Sequence, residues 1–496
     1  MDAFLIAGAT ARKRYSLDRA IALHEKAIGL AVAPEDRARA LEALGDDHDA
    51  AYDGDRALPP WEESLTVRSG LPGSGPDIAR LSMKAARMGA ILWGSFGTPM
   101  EPDVIDQYVR QGLAAGPEPE IRAWLDMLVA AAGVRWTAFH RPDPVPYEQR
   151  TGSLDAARAY AERTDNTILE ANILHIGRAL LIVNGDIAGA IAATRRQLVL
   201  GEVCDDLRER HLALIEAANT LTWVPGEAAP MLETVHRALG IARELRAHDV
   251  NHSTMTTMSV HYLTGGWAEI PALLDEHIVA FKVREDSSCP FAMGGFPLGA
   301  TVLARSGDPE RARAILASMP VSDAPIGMVE ALQAMATLAL GDADAARAMA
   351  QRVIDSGTRN FAEEPRIELM VLVDALVELG DWDAIRSALP QVRDGAGYLA
   401  LAQPAADRAE GLAAAAAGST SEAVALLERA IEGFDRLSTF DAARTREALA
   451  IVEPRRRIEL LEAALATYER LGARPSIEAT RSALAATAEA PTMDGA

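Results

Sequence analysis

The sequence is poor in cysteine, in aromatic residues and in positive charge, and each shortage excludes a class of protein. Two cysteines, Cys204 and Cys289, in 496 residues cannot build a disulfide framework or a cysteine-based metal site. Aromatic residues make up 5% of the chain, too few for the cores of β-sandwiches and barrels. Acids outnumber bases by 71 to 49, a formal net charge of −22. Nucleic acid and anionic membrane are disfavoured as partners, because both require a basic face. No run approaches the roughly 18 uninterrupted apolar residues of a membrane helix. The opening Phe4-Leu5-Ile6-Ala7-Gly8-Ala9 comes before the basic Arg12-Lys13-Arg14, the reverse of a secretory signal, so a cytoplasmic location is expected. Signatures of chemistry are missing as well. There is no Gly-x4-Gly-Lys-Ser/Thr phosphate loop, no Gly-x-Ser-x-Gly and no His-Glu-x-x-His. Neither a catalytic residue nor a cofactor is expected.

What the chain has in quantity is a recurring turn. Gly185-Asp186, Gly307-Asp308, Gly341-Asp342, Gly380-Asp381 and Gly54-Asp55 separate apolar helical segments, and Gly265-Gly266 and Gly418-Ser419 are degenerate copies. A spacing of roughly 34 to 42 residues between successive copies is that of a helical repeat array. The glycine ends one helix in the left-handed conformation. The Asp or Ser after it caps the next helix through its side-chain oxygen. Beyond the turn, Ala423, Leu426, Leu427, Ala430 and Ile431 recur at intervals of three and four, as one face of a helix requires.

Helices are expected almost throughout, with no strands. Residues 1–150 form an irregular N-terminal helical section. It is interrupted by Gly70-Leu71-Pro72-Gly73-Ser74-Gly75-Pro76 and by Arg141-Pro142-Asp143-Pro144-Val145-Pro146, where alternating prolines forbid a helix. The regular array occupies 151–488, and 489–496 reads as a disordered tail. The helix Asp18–Ile28 looks like the second of a pair whose first member is cut short.

The turns resemble those of tetratricopeptide repeats, Gly380-Asp381-Trp382-Asp383-Ala384 most closely. Ala20 and Ala27, like Ala423 and Ala430, keep that family's spacing of seven. The resemblance implies an all-α, right-handed α-solenoid of helical hairpins that presents a concave face to a ligand. A narrower resemblance rests on Ala22-Leu23-His24-Glu25-Lys26-Ala27, Ala40-Leu41-Glu42-Ala43-Leu44-Gly45-Asp46 and Gly54-Asp55. These look like the C-terminal arms of bacterial adenylate cyclases and transcription regulators linked to AAA-type ATPases, which implies a sensor arm lacking its catalytic domains.

Candidate site residues come from three nearly uncharged helices expected at 251–266, 288–304 and 325–341. They offer His252, Met255, Met258, Tyr262, Met293, Phe296, Met328 and Met335, where thioethers suit adaptable surfaces and neighbouring hydroxyls fix polar groups. The alternative for the same residues is ordinary core packing. His248, His252 and His261 are weighed as zinc ligands and set aside, because 247–251 reads as a turn between helices and no third ligand has suitable spacing. The function expected is a non-catalytic scaffold for a protein, a peptide or a small effector. The alternatives are the regulatory arm just described and an all-α enzyme with a site in the central groove.

Overall fold

The computed structural model describes residues 1–132, 146–283, 289–320, 327–355, 366–395 and 401–489. The expected breaks at 141–145 and in the tail from Ala490 lie outside these residues. Among the described residues every regular element is helical, with 25 α-helices and three short 3-10 turns. None of these helices is long and apolar enough to cross a membrane.

The chain divides into two compact units. Among the described residues, unit 1 holds Met1–Leu214, Ile241–His248 and Cys289. Its helices are α1 (Asp2–Lys13), α2 (Leu17–Leu30), α3 (Pro34–Ala50), α4 (Gly54–Ser69), α5 (Gly75–Ala90), α6 (Pro102–Ala114), α7 (Pro119–Ala131), α8 (Tyr147–Thr164), α9 (Thr167–Val183), α10 (Ile187–Val203) and the start of α11 (Leu207–Thr222). Successive helices pack as antiparallel pairs. In addition α1 touches α3, α5 touches α7 and α7 touches α9, so the odd-numbered helices form one layer. The first hairpin is complete, since α1 runs for 12 residues beside the 14 of α2.

Unit 2 holds Ile215–Gly240, Asp249–Val283 and Pro290–Ala496. It takes in most of α12 (Met231–Leu245) and α13 (Ala247–Thr264), then α14 (Ile270–Phe281), α15 (Pro290–Arg305), α16 (Pro309–Ala317), α17 (Gly327–Ala339), α18 (Ala343–Asp355) and α19 (Ile367–Leu379). There follow α20 (Trp382–Gly395), α21 (Ala402–Ala416), α22 (Thr420–Asp435), α23 (Thr439–Val452), α24 (Arg457–Leu471) and α25 (Arg474–Glu489). The odd helices α15, α17, α19, α21 and α23 touch one another in series. The late helices then return to the early ones. The Thr439 hydroxyl donates to the Leu263 carbonyl at 3.0 Å, and the Trp267 and Phe440 rings lie 5.1 Å apart. The Gly226 amide donates to the Arg436 carbonyl at 2.8 Å.

The Gly-Asp turns of unit 2 work as their sequence requires, whereas Ser419 after Gly418 makes no side-chain cap hydrogen bond. Gly380 adopts φ +66° at the end of α19, a conformation that costs a residue with a Cβ about 1 kcal/mol. Asp381 then accepts from the Ala384 amide at 3.0 Å, and Asp308 and Asp342 do the same for Arg311 and Ala345 at 3.1 and 3.0 Å. Ala20, Ala27, Ala423 and Ala430 are all fully buried, where a methyl group lets two helices approach closely. The copy at Gly54-Asp55 is displaced by two residues. Tyr52 takes the left-handed position at φ +58°, and Asp53 is the cap, accepting from the Arg56 amide at 3.2 Å. Gly54 instead sits inside α4, against Ser95 and Phe96.

Candidate functional site

The odd helices of unit 1 wall a cleft of about 680 Å³. That size falls within the roughly 300–1,000 Å³ of ordinary ligand pockets. Its floor is Trp61, Met83, Met88, Leu92, Trp124 and Ile168, and charged groups rise around it. The floor depends on a close approach. The Trp61 indole lies on α3 at Gly45, where a Cβ would stand 2.4 Å from the ring. Its Nε1 donates to the Asp46 carboxylate at 3.1 Å.

Charges in the cleft are fixed in pairs. The Lys84 ammonium donates to Glu42 and Asp46, both at 2.7 Å. Arg80 grips Glu42 through a two-pronged contact, both bonds at 2.8 Å. Burial alone would raise Glu42, but the Arg80 hydrogen bonds and the Lys84 charge outweigh it and hold the carboxyl at about 2. Arg12 reaches from α1 to Asp47 at 2.9 Å and to the Ala43 carbonyl at 3.0 Å. Deeper in, Arg87 lies 5.2 Å over the Trp124 ring and donates to Glu209 at 2.8 Å. Asn172 donates to the other Glu209 oxygen at 3.2 Å. Burial works against ionised Glu209, and Arg87 and Arg208 more than compensate, lowering its pKa.

The start of α11 completes the wall. Asp206 accepts from the amides of Arg208 and Glu209 at 2.9 and 3.0 Å, which aims both side chains into the cleft. Arg208 then binds Asp49 with both terminal nitrogens. Three acids on the rim, Glu120, Asp205 and Asp206, are exposed, as is Lys13 across from them on α1. Two carboxyls at the cleft, Glu42 and Asp49, are held near 2 by their cationic partners, so their charges are steady near neutral pH, whereas burial raises the Asp46 carboxyl.

The residues singled out from the sequence lie elsewhere. Met255, Met258, Tyr262, Met293, Phe296, Met328 and Met335 are at most 6% exposed and fill the interior of unit 2. Tyr262 lies 3.7 Å from the Met335 sulfur and accepts from Arg305 at 2.6 Å. His252 is the exception, half-buried with Nδ1 4.0 Å from Glu216. A ligand would reach the other seven only by displacing packed side chains. The histidine segment is also different from the expected turn. His248 and His252 share the continuous helix α13, while His261 near its end meets His236.

Sequence reasoning missed the cleft because its charges are spread over five helices. The available signal was the pattern Asp46, Asp49, Lys84 and Arg87, pairs spaced by three on two helices that both start with Pro or Gly-Pro.

No protein-family model matches the chain, and no curated protein matches it. Among solved structures it is similar to the APC/C hetero-tetramer Cut9-Hcn1, at 15% identity over 96% of this chain and 83% of that one, with a TM-score of 0.49. It is also similar to the P58(IPK) TPR domain, at 12% identity over 77% and 98% of the two chains, TM-score 0.22. The human IFIT1 dimer with PPP-AAAA gives 12% identity over 75% and 94%, TM-score 0.32. Among its described residues the chain is an all-helical array of serially packed hairpins.

Proposed function

We propose that the protein is a non-catalytic binding scaffold, and that the unit 1 cleft receives an extended segment of a partner protein. The observation that carries this reading is the lining itself: indole and thioether surface on the floor, with ion pairs around it that are already formed. Groups held in place before binding lose little freedom on binding, so more of the contact energy appears as affinity. Repeat arrays use stacked helix layers as extended recognition surfaces. The exposed Glu120, Asp205 and Asp206 favour a segment carrying basic side chains, in keeping with the net charge of −22.

The test uses rim positions, whose exposed side chains leave the interior alone. Wild-type chain and an Asp205→Lys, Glu120→Lys variant are used as baits, and the recovered partner is then titrated against each. The reading expects binding about tenfold weaker or more in the variant, and in the wild type a marked loss at high salt. Equal affinity for both chains would reject the cleft.

A further inference from the structure

Within unit 2, apart from the cleft, two histidines on different helices face one another. His236 of α12 and His261 of α13 bring their Nε2 atoms to 3.2 Å, with ring centroids 5.4 Å apart and planes inclined by 37°. His236 is exposed, so the meeting point is open to solvent, while His261 is 5% exposed and firmly seated. Gly266 lies directly beside the His261 ring, where any side chain would strike Nδ1.

One hydrogen bond between the rings uses a single proton. An imidazole nitrogen whose lone pair is free is a metal ligand. Two imidazole nitrogens bound to a tetrahedral zinc ion at about 2.0–2.1 Å stand roughly 3.3 Å apart, close to the separation seen here. Imidazole donors select zinc, nickel or copper over magnesium and calcium, which require oxygen cages.

We propose that His236 and His261 form a two-imidazole site for a divalent transition ion, with water completing the shell, that staples α12 to α13 within unit 2. Moving the donor ring's proton from Nε2 to Nδ1 frees both Nε2 lone pairs, and a rotation of the exposed His236 ring would point them at a common centre. The reading predicts one bound ion and a higher melting temperature when it binds.

The experiment is calorimetric titration of the full chain with Zn²⁺ and with Mg²⁺, paired with thermal melts. His236→Gln is the main variant, because its exposed position leaves the fold intact; His261→Gln is the second. Wild type is expected to bind one Zn²⁺, to melt higher with zinc and to ignore Mg²⁺. His236→Gln should weaken zinc binding by about tenfold or more. Zinc affinity and zinc-induced stabilisation unchanged in His236→Gln would overturn the proposal. So would wild-type chain that binds no zinc.

Discussion

Arg208 on α11 holds Asp49 on α3 with both terminal guanidinium nitrogens, at 2.8 and 3.0 Å, across 159 residues of sequence. Burial works against the Asp49 charge, but Arg208 overcomes it and keeps the carboxyl at about 2. This contact ties α11 to α3 at the cleft wall. A double-mutant cycle with Arg208→Ala and Asp49→Ala should show a coupling of about 1–3 kcal/mol in urea unfolding. Strictly additive effects would mean that the contact contributes nothing.

Unit 2 contains a buried ion network that should be more sensitive. Arg408, 3% exposed, donates to Asp374 at 2.6 Å and lies 3.3 Å from Asp441, while Arg444 donates to Asp374 at 3.0 Å. Arg408→Met leaves two buried carboxylates short of a partner and should cost about 3–5 kcal/mol in urea unfolding. A loss below 1 kcal/mol would show that water already reaches these acids.

His277 gives unit 2 a dependence on pH. It is fully buried, hydrogen-bonded to Thr254 at 2.8 Å and to the Ala292 carbonyl at 2.9 Å. Burial lowers its pKa from 6.5 to about 4, only partly offset by the Ala292 and Asn251 backbone contacts. Between those two values the unfolded chain binds more protons than the folded one. Stability from this group is therefore complete above about pH 6.5 and declines as the pH falls toward 4, by at most about 3 kcal/mol. Urea midpoints measured from pH 7 to pH 4.5 should fall less steeply in His277→Gln than in wild type. Parallel curves would assign the acid sensitivity to other groups.

Phe296 decides how the uncharged helices are used. It is 2% exposed and meets Phe281 edge-on at 5.3 Å. Phe296→Ala should lower stability by about 3–5 kcal/mol, read from chemical denaturation. Partner binding lost at unchanged stability would instead make these helices a ligand groove.

The hairpins of unit 2 were legible in the sequence because glycine and aspartate act locally. Gly307, Gly341, Gly380 and Gly418 all adopt positive φ where the turns were expected. Unit 1 was harder. There Tyr15, Tyr52 and Asp165 take the left-handed position, and no rule of composition marks a tyrosine for that role. Tyr52 is held by its surroundings: His248 stacks on its ring at 3.9 Å and Arg246 lies over it at 4.7 Å. The candidate site was legible least of all. A row of methionines and hydroxyls reads the same whether it lines a groove or fills a core, and only the burial of Met258 and Phe296 separates the two. The cleft charges come from helices whose neighbourhood is set by packing, such as Arg87 meeting Glu209.

Hydrogen exchange on the chain, with and without its recovered partner, tests the central claim most directly: recognition takes place in the unit 1 cleft. The claim predicts slower amide exchange on binding in residues 83–88, 120–124 and 205–209, which line the cleft. Protection confined to the helices of unit 2, with those three segments unchanged, would contradict it.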